Sequence, residues 1–154
     1  MYVRPLLEYC SPVWAPVYKT DIELIERVQR RFTKRLRGCK YLSYSDRLIL
    51  LNNADSLEER RLKHDLTMIF KIMHNLISIN FDDFFAINSF SFTRGHDYKL
   101  VKPLCHSNAR QFSFACRRIE IWNDLPADVV SCETINSFKI HINKINFNKY
   151  LKHD

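Results

Sequence analysis

Glycine is the residue this chain most lacks. It has 2 in 154 residues, where average usage of roughly 7% would supply about 11. Glycine provides left-handed turns and lets backbone approach a phosphate closely. With so little of it the chain has no G-x-x-x-x-G-K-[ST] phosphate loop and no G-x-G-x-x-G dinucleotide turn. It has no G-x-S-x-G nucleophile elbow either. Long helices joined by few tight turns are expected instead. No apolar run approaches the ~18–20 residues of a membrane span, and no hydrophobic leader follows Met1. The expectation is therefore an intracellular protein, nuclear or cytoplasmic, neither secreted nor in a membrane. Five cysteines (Cys10, Cys39, Cys105, Cys116, Cys132) are odd in number and scattered, the pattern of free thiols in a reducing compartment. Acid is the other shortfall: 17 Asp and Glu against 24 Lys and Arg, a net charge of +7.

Hydrophobic residues make up 46% of the chain, enough for a packed core and against disorder. One domain over 1–154 is expected at this length. The positive excess suits a polyanionic partner, most often nucleic acid, or serves only solubility.

Periodicity predicts a mainly α fold, about five helices in a small bundle with one short β-hairpin insertion. Thr20 and Glu23 have capping-box spacing and Gly38 stands where a left-handed C-cap belongs. Between them Ile22, Ile25, Val28, Phe32 and Leu36 repeat at helical steps. A short helix follows from Ser43 to Leu51, broken by Asn52-Asn53. Ser56 and Glu59 begin a third, which runs to about Asn80 on a face of Leu62, Leu66, Ile69, Phe70, Met73, Leu76 and Ile77. Phe90 and Phe92 alternate with Ser89 and Ser91, and Leu100 lies two beyond Tyr98, predicting a hairpin near 88–102 with Gly95 in its loop. Helical spacing returns from Asn108 through Phe112, Ala115, Cys116, Ile119 and Trp122. One turn is expected at Pro126–Val130 and a last helix from Thr134.

The strongest chemical signal is a basic helix face. Residues 17–40 hold eight Lys and Arg against three Asp and Glu, a net of +5. At 100° per residue Arg27, Arg30, Arg31, Lys34 and Arg37 fall opposite the apolar stripe, and such a row can reach several phosphates along a groove. A solvated surface helix is the plain alternative. Metal ligation has little support: Cys105, His106, Cys116, Cys132 and His141 are of ligand type, but no pair has the two-to-four-residue spacing of structural zinc. Asp82-Asp83 follows Asn80-Phe81, directly after a helix end with no preceding strand, unlike the metal-holding carboxylate pair of a polymerase. His64 and His74 fall on the polar side of their helix and build no triad. His96, beside Arg94, reads as a solvent-facing loop histidine, or as a phosphate contact. Trp14 and Trp122 lie beside prolines and read as packing anchors.

Several segments together resemble one family. Arg4-Pro5-Leu6-Leu7-Glu8-Tyr9-Cys10-Ser11-Pro12-Val13-Trp14 and Val28-Gln29-Arg30-Arg31-Phe32-Thr33-Lys34 are the most specific. Leu42-Ser43-Tyr44, Thr93-Arg94-Gly95-His96, Trp122-Asn123-Asp124-Leu125-Pro126 and Ser137-Phe138-Lys139 follow in order. The series resembles the C-terminal end of the reverse transcriptase of non-LTR (LINE-type, jockey-like) retrotransposons, over nearly the whole chain. The resemblance implies a thumb-like helical part over 1–80 and a hairpin with C-terminal helices over 81–154. It implies a non-catalytic fragment, since the family's polymerase aspartates, which would hold Mg, and its endonuclease domain match no residue here. No metal or cofactor is therefore expected. The uncapped helix at Met1 to Tyr9 fits the tail of something longer. The implied partner is the backbone of an RNA, DNA or hybrid template-primer. Arg27, Arg30, Arg31, Lys34 and Arg37 would be the first contacts and Arg94, Arg117 and Arg118 the second. A polymerase palm is the partner on the alternative, purely structural reading.

Overall fold

The computed structural model describes residues 3–52, 54–88 and 95–152. They are mainly helical. The chain forms two compact units, Met1–Arg61 with Leu151–Asp154, and Leu62–Tyr150. Their boundary falls inside the long helix Leu57–Met73, ahead of the expected change of character at residue 80.

The first unit begins with α1 (Val3–Glu8) and α2 (Ser11–Trp14), separated by Cys10 in the left-handed region at φ 55°. Helix α3 (Lys19–Lys34) comes next, then α4 (Tyr44–Leu50) and the start of α5 (Leu57–Met73). Thr20 is not the cap of α3. The cap is two residues earlier, Tyr18, whose side chain makes no capping bond. Nor does Gly38 end it: α3 stops at Lys34, and Gly38 (φ 81°) instead turns Leu36 back on Cys39, whose N–H donates to the Leu36 carbonyl at 3.1 Å. Positive φ at the third position of such a turn is what a glycine supplies. The other two caps are as expected. Ser43 Oγ accepts from the Asp46 N–H at 3.1 Å, and Ser56 Oγ from the Glu59 N–H at 3.2 Å. Each satisfies one of the orphan donors of a helix start, worth about 1 kcal/mol. Arg60 donates from Nε and Nη2, one edge of its guanidinium, to the two carboxylate oxygens of Glu8, and Glu58 accepts from the Lys152 N–H.

The second unit carries the apolar core. Leu62, Leu66, Ile69, Phe70 and Ile72 of α5 are buried together with Ile119, Trp122, Val130, Phe138 and Phe147. Phe70 stacks on Phe138 with centroids 4.4 Å apart, worth about 1 kcal/mol beyond the area buried. Helix α5 stops at Met73, well short of Asn80. Asn75 takes φ 52°, its N–H bonds Ile72, and the Leu76 N–H reaches back to Lys71. That is a Schellman ending with asparagine at the left-handed position.

Among the described residues the hairpin is reduced to one antiparallel bridge, Ile87 with Leu100, flanked by Asn88 and Val101 bonds. The Phe90 and Phe92 alternation lies outside the described residues. The expected helix from Asn108 to Trp122 is broken into α6 (Asn108–Gln111), α7 (Phe114–Arg117) and α8 (Ile119–Asn123). Ser107, not Asn108, caps the first of them. One break has a visible cause at Arg118. Neighbouring side chains on a helix diverge by about 100°, yet Arg117 and Arg118 both reach Asp65, and Arg118 leaves helical geometry to do so (φ −116°, ψ 2°). Pro126 opens α9 (Ala127–Val130), and Thr134 caps α10 (Ile135–Ile142) by accepting from Ser137.

Candidate nucleic-acid interface

Helix α3 is rotated from the orientation its apolar residues suggest. The buried stripe is Ile22, Glu26, Gln29 and Thr33, displaced by roughly 100° from the Ile25, Val28, Phe32 line at about 100° per residue. Leu24 and Val28 are exposed at 55% and 40%. The cause is a polar network within the first unit. Both Glu26 carboxylate oxygens accept from the Leu57 N–H, at 3.0 and 3.2 Å, at the start of α5. Tyr44 O–H donates to the same carboxylate. Gln29 Nε2 donates to Tyr44 Oη at 3.0 Å and to the Asp55 carbonyl at 3.3 Å. Thr33 Oγ1 donates to the Gln29 carbonyl at 2.9 Å. Burial, reinforced by the Glu26 hydrogen bond, holds the Tyr44 phenol well above its ordinary pKa. A buried carboxylate requires such partners, and here they set which face of α3 turns inward.

The rotation decides which cations are free to meet a ligand. Arg27, Arg31, Lys34 and Arg37 are exposed, as expected. Arg30 is not on the open face. It is half-buried, with its guanidinium 4.9 Å over the Tyr44 ring, while Arg47 lies 5.5 Å over the same ring and donates to the Arg30 carbonyl. Arg35 and Lys40 are exposed as well and were missed, because the apolar stripe placed Arg35 near its own side. From Arg27 to Ser45 the sequence contains no acidic residue. The nearest acid before it, Glu26, is fully buried and accepts from the Leu57 N–H and the Tyr44 hydroxyl, so it does not face the exposed row.

The second-tier candidates stand elsewhere. Arg117 and Arg118 are withdrawn from solvent in an ion triad: Asp65, fully buried, accepts from Arg117 at 2.8 and 3.0 Å and from Arg118 at 2.9 Å. Arg94 lies outside the described residues. His96 is not in solvent: it is buried, its Nε2 lies 3.1 Å from the Trp122 carbonyl, and burial lowers its pKa. Trp122 is fully buried, donating to the Tyr98 carbonyl at 2.9 Å, whereas Trp14 is 41% exposed. Asp82 and Asp83 sit exposed in a single 3₁₀ turn. His74 is tucked against Phe70 with centroids 4.1 Å apart, while His64 is exposed.

The five thiols are free. Cys105 Sγ is 3.7 Å from Cys116 Sγ, and Cys132 Sγ is 3.6 Å from His141 Nδ1. Neither pair gains a third ligand among the described residues, where no group of three or more His, Cys, Asp or Glu is placed to hold a metal. No helix among them is long and apolar enough to cross a membrane. The chain matches no protein-family model, no curated protein and no solved structure.

Proposed function

We propose that the chain binds nucleic-acid backbone without catalysing a reaction, through the exposed cations of α3 and the turn after it. The observation that carries this reading is the acid-free run from Arg27 to Ser45, with Arg27, Arg31, Lys34, Arg35, Arg37 and Lys40 all exposed. Contacts of this kind displace condensed counterions and do not read sequence. Together with the resemblance to the end of a non-LTR retrotransposon reverse transcriptase, the role is to grip template-primer phosphates beside a polymerase palm supplied by other residues.

The test is a salt titration of binding to a labelled duplex. Each phosphate contact adds roughly 0.7–0.9 to the slope of log K against log salt. Replacing Arg31, Lys34 and Arg37 by Ala is expected to reduce the slope by about 2 and leave the helical circular dichroism intact, since all three side chains are exposed. An unchanged slope removes this face from the interface.

A second reading is favoured by a different observation. Leu6, Tyr9, Val13, Trp14, Leu24, Val28, Ile49 and Leu50 of the first unit are exposed, and apolar surface left open, where it gathers into a patch, marks contact with another protein. On that reading the segment is a docking piece with weak affinity for nucleic acid. Sedimentation of the chain with and without the duplex separates the two: co-sedimentation supports the first reading, and self-association unaffected by duplex supports the second.

A further inference from the structure

Tyr41 is 92% exposed, the most exposed of the large apolar side chains among the described residues. It stands in the turn that carries the last of the free cations. Arg35, Arg37 and Lys40, which precede it in the chain, are exposed, and the Lys40 ammonium lies 5.4 Å from the centre of its ring. The turn that presents it is anchored. Cys39, two residues before it, is buried to 1%. Gly38 supplies the positive φ, and two successive bonds, Cys39 N–H to Leu36 and Leu42 N–H to Cys39, close the loop. Ser43 then caps α4 immediately after. The aromatic ring is thus held out on a fixed base beside Lys40, in a stretch of chain that also exposes Arg35 and Arg37.

We infer that Tyr41 is a stacking platform for an unpaired base, so that the nucleic acid this surface prefers is single-stranded or carries a single-stranded end. This rests on the backbone-binding reading above and specifies its substrate. A ring exposed to this degree has almost no packing of its own to lose. With one face turned to Lys40, the other is open to a planar partner. Single-strand sites join a cationic track for the phosphates to aromatic rings on which the bases stack. The cations of residues 31–40 provide the track and Tyr41 the ring. A blunt duplex keeps its bases paired and stacked internally, and offers this side chain nothing comparable.

The experiment compares the full chain with Tyr41→Ala and Tyr41→Phe. Anisotropy titrations at matched salt use two labelled probes, a thymidine homo-oligomer of about 20 nucleotides and a blunt duplex of the same length. Tyr41→Ala is expected to weaken single-strand binding about tenfold, within the range of one stacked base. Duplex affinity and both salt slopes should stay unchanged, because no charge is removed. Tyr41→Phe should bind like the unaltered chain, since the ring is what stacks. Equal losses on the two probes, or no loss on the single strand, overturn the inference while leaving the basic surface intact. An unaltered chain that binds neither probe overturns the basic surface, and this inference with it.

Discussion

His96 is 6% exposed, with Nε2 directed at the Trp122 carbonyl and Nδ1 buried without a hydrogen-bond partner. A carbonyl only accepts, so Nε2 carries the hydrogen and Nδ1 keeps its lone pair. Protonating Nδ1 would place a charge in a dry site with no acceptor. Burial therefore lowers the pKa and Lys99 adds to the effect; the Trp122 carbonyl and Asp97 oppose it. The folded pKa lies below the unfolded value of about 6.5, so the unfolded state binds more protons as pH falls through that value. The His96 contribution is then complete above about pH 6.5, declines below it, and stops declining once pH is under the folded pKa. Urea titrations between about pH 7 and 5 should show stability falling for the unaltered chain and a shallower fall for His96→Gln, which keeps a donor and cannot titrate. Equal slopes would count against the assignment.

Helix α3 meets the start of α5 through one carboxylate. Glu26 sits at the N-terminus of α5, where the helix dipole favours negative charge, and takes the Leu57 N–H that would otherwise be unpaired. Glu26→Ala leaves that N–H and the Tyr44 hydroxyl without their acceptor and should cost about 2–4 kcal/mol in urea unfolding. Glu26→Gln retains an acceptor oxygen and should cost less than half as much; a silent Ala variant would refute the role. The same residue explains what the sequence left hidden. The caps at Ser43, Ser56 and Thr134 are legible because the capping oxygen and the N–H it accepts from lie within four residues of chain. The orientation of α3 is not, because it depends on Tyr44, Asp55 and Leu57, 15 to 31 residues away. Periodicity alone chose Val28 for the core and sent Arg30 to solvent. It sent Arg27, Arg31 and Lys34 to solvent because these lie far enough round the helix to be exposed in either orientation, while Arg37 lies beyond the helix end. Arg117 and Arg118 were misplaced for a similar reason: nothing in their own segment announces Asp65. The Asn75 ending of α5 was readable in principle, since asparagine is the usual substitute for glycine in the left-handed region.

Across the whole molecule the two units bury different things. In residues 1–61 the buried apolar side chains are Ala15, Ile22, Cys39 and Leu57, outnumbered by buried polar ones such as Ser11, Glu26, Gln29, Thr33 and Arg47. In residues 62–150 the buried set is mostly aliphatic and aromatic. Hydrophobic burial supplies most of the drive to fold, at about 25 cal/mol per Å², and regions with few apolar contacts open more readily. Amide exchange is therefore expected to be slowest at Leu66–Ile72, Ile119–Trp122 and Phe138, and faster along Ile22–Thr33. Uniform protection would show that the units open together. The two tryptophans fall one in each unit, Trp14 at 41% exposure and Trp122 at none. Each unit thus contains a single tryptophan in its own surroundings. A quencher dissolved in the buffer reaches the first and not the second, so the tryptophan emission of this chain, excited selectively over its tyrosines, separates into two optical signals without any label being added.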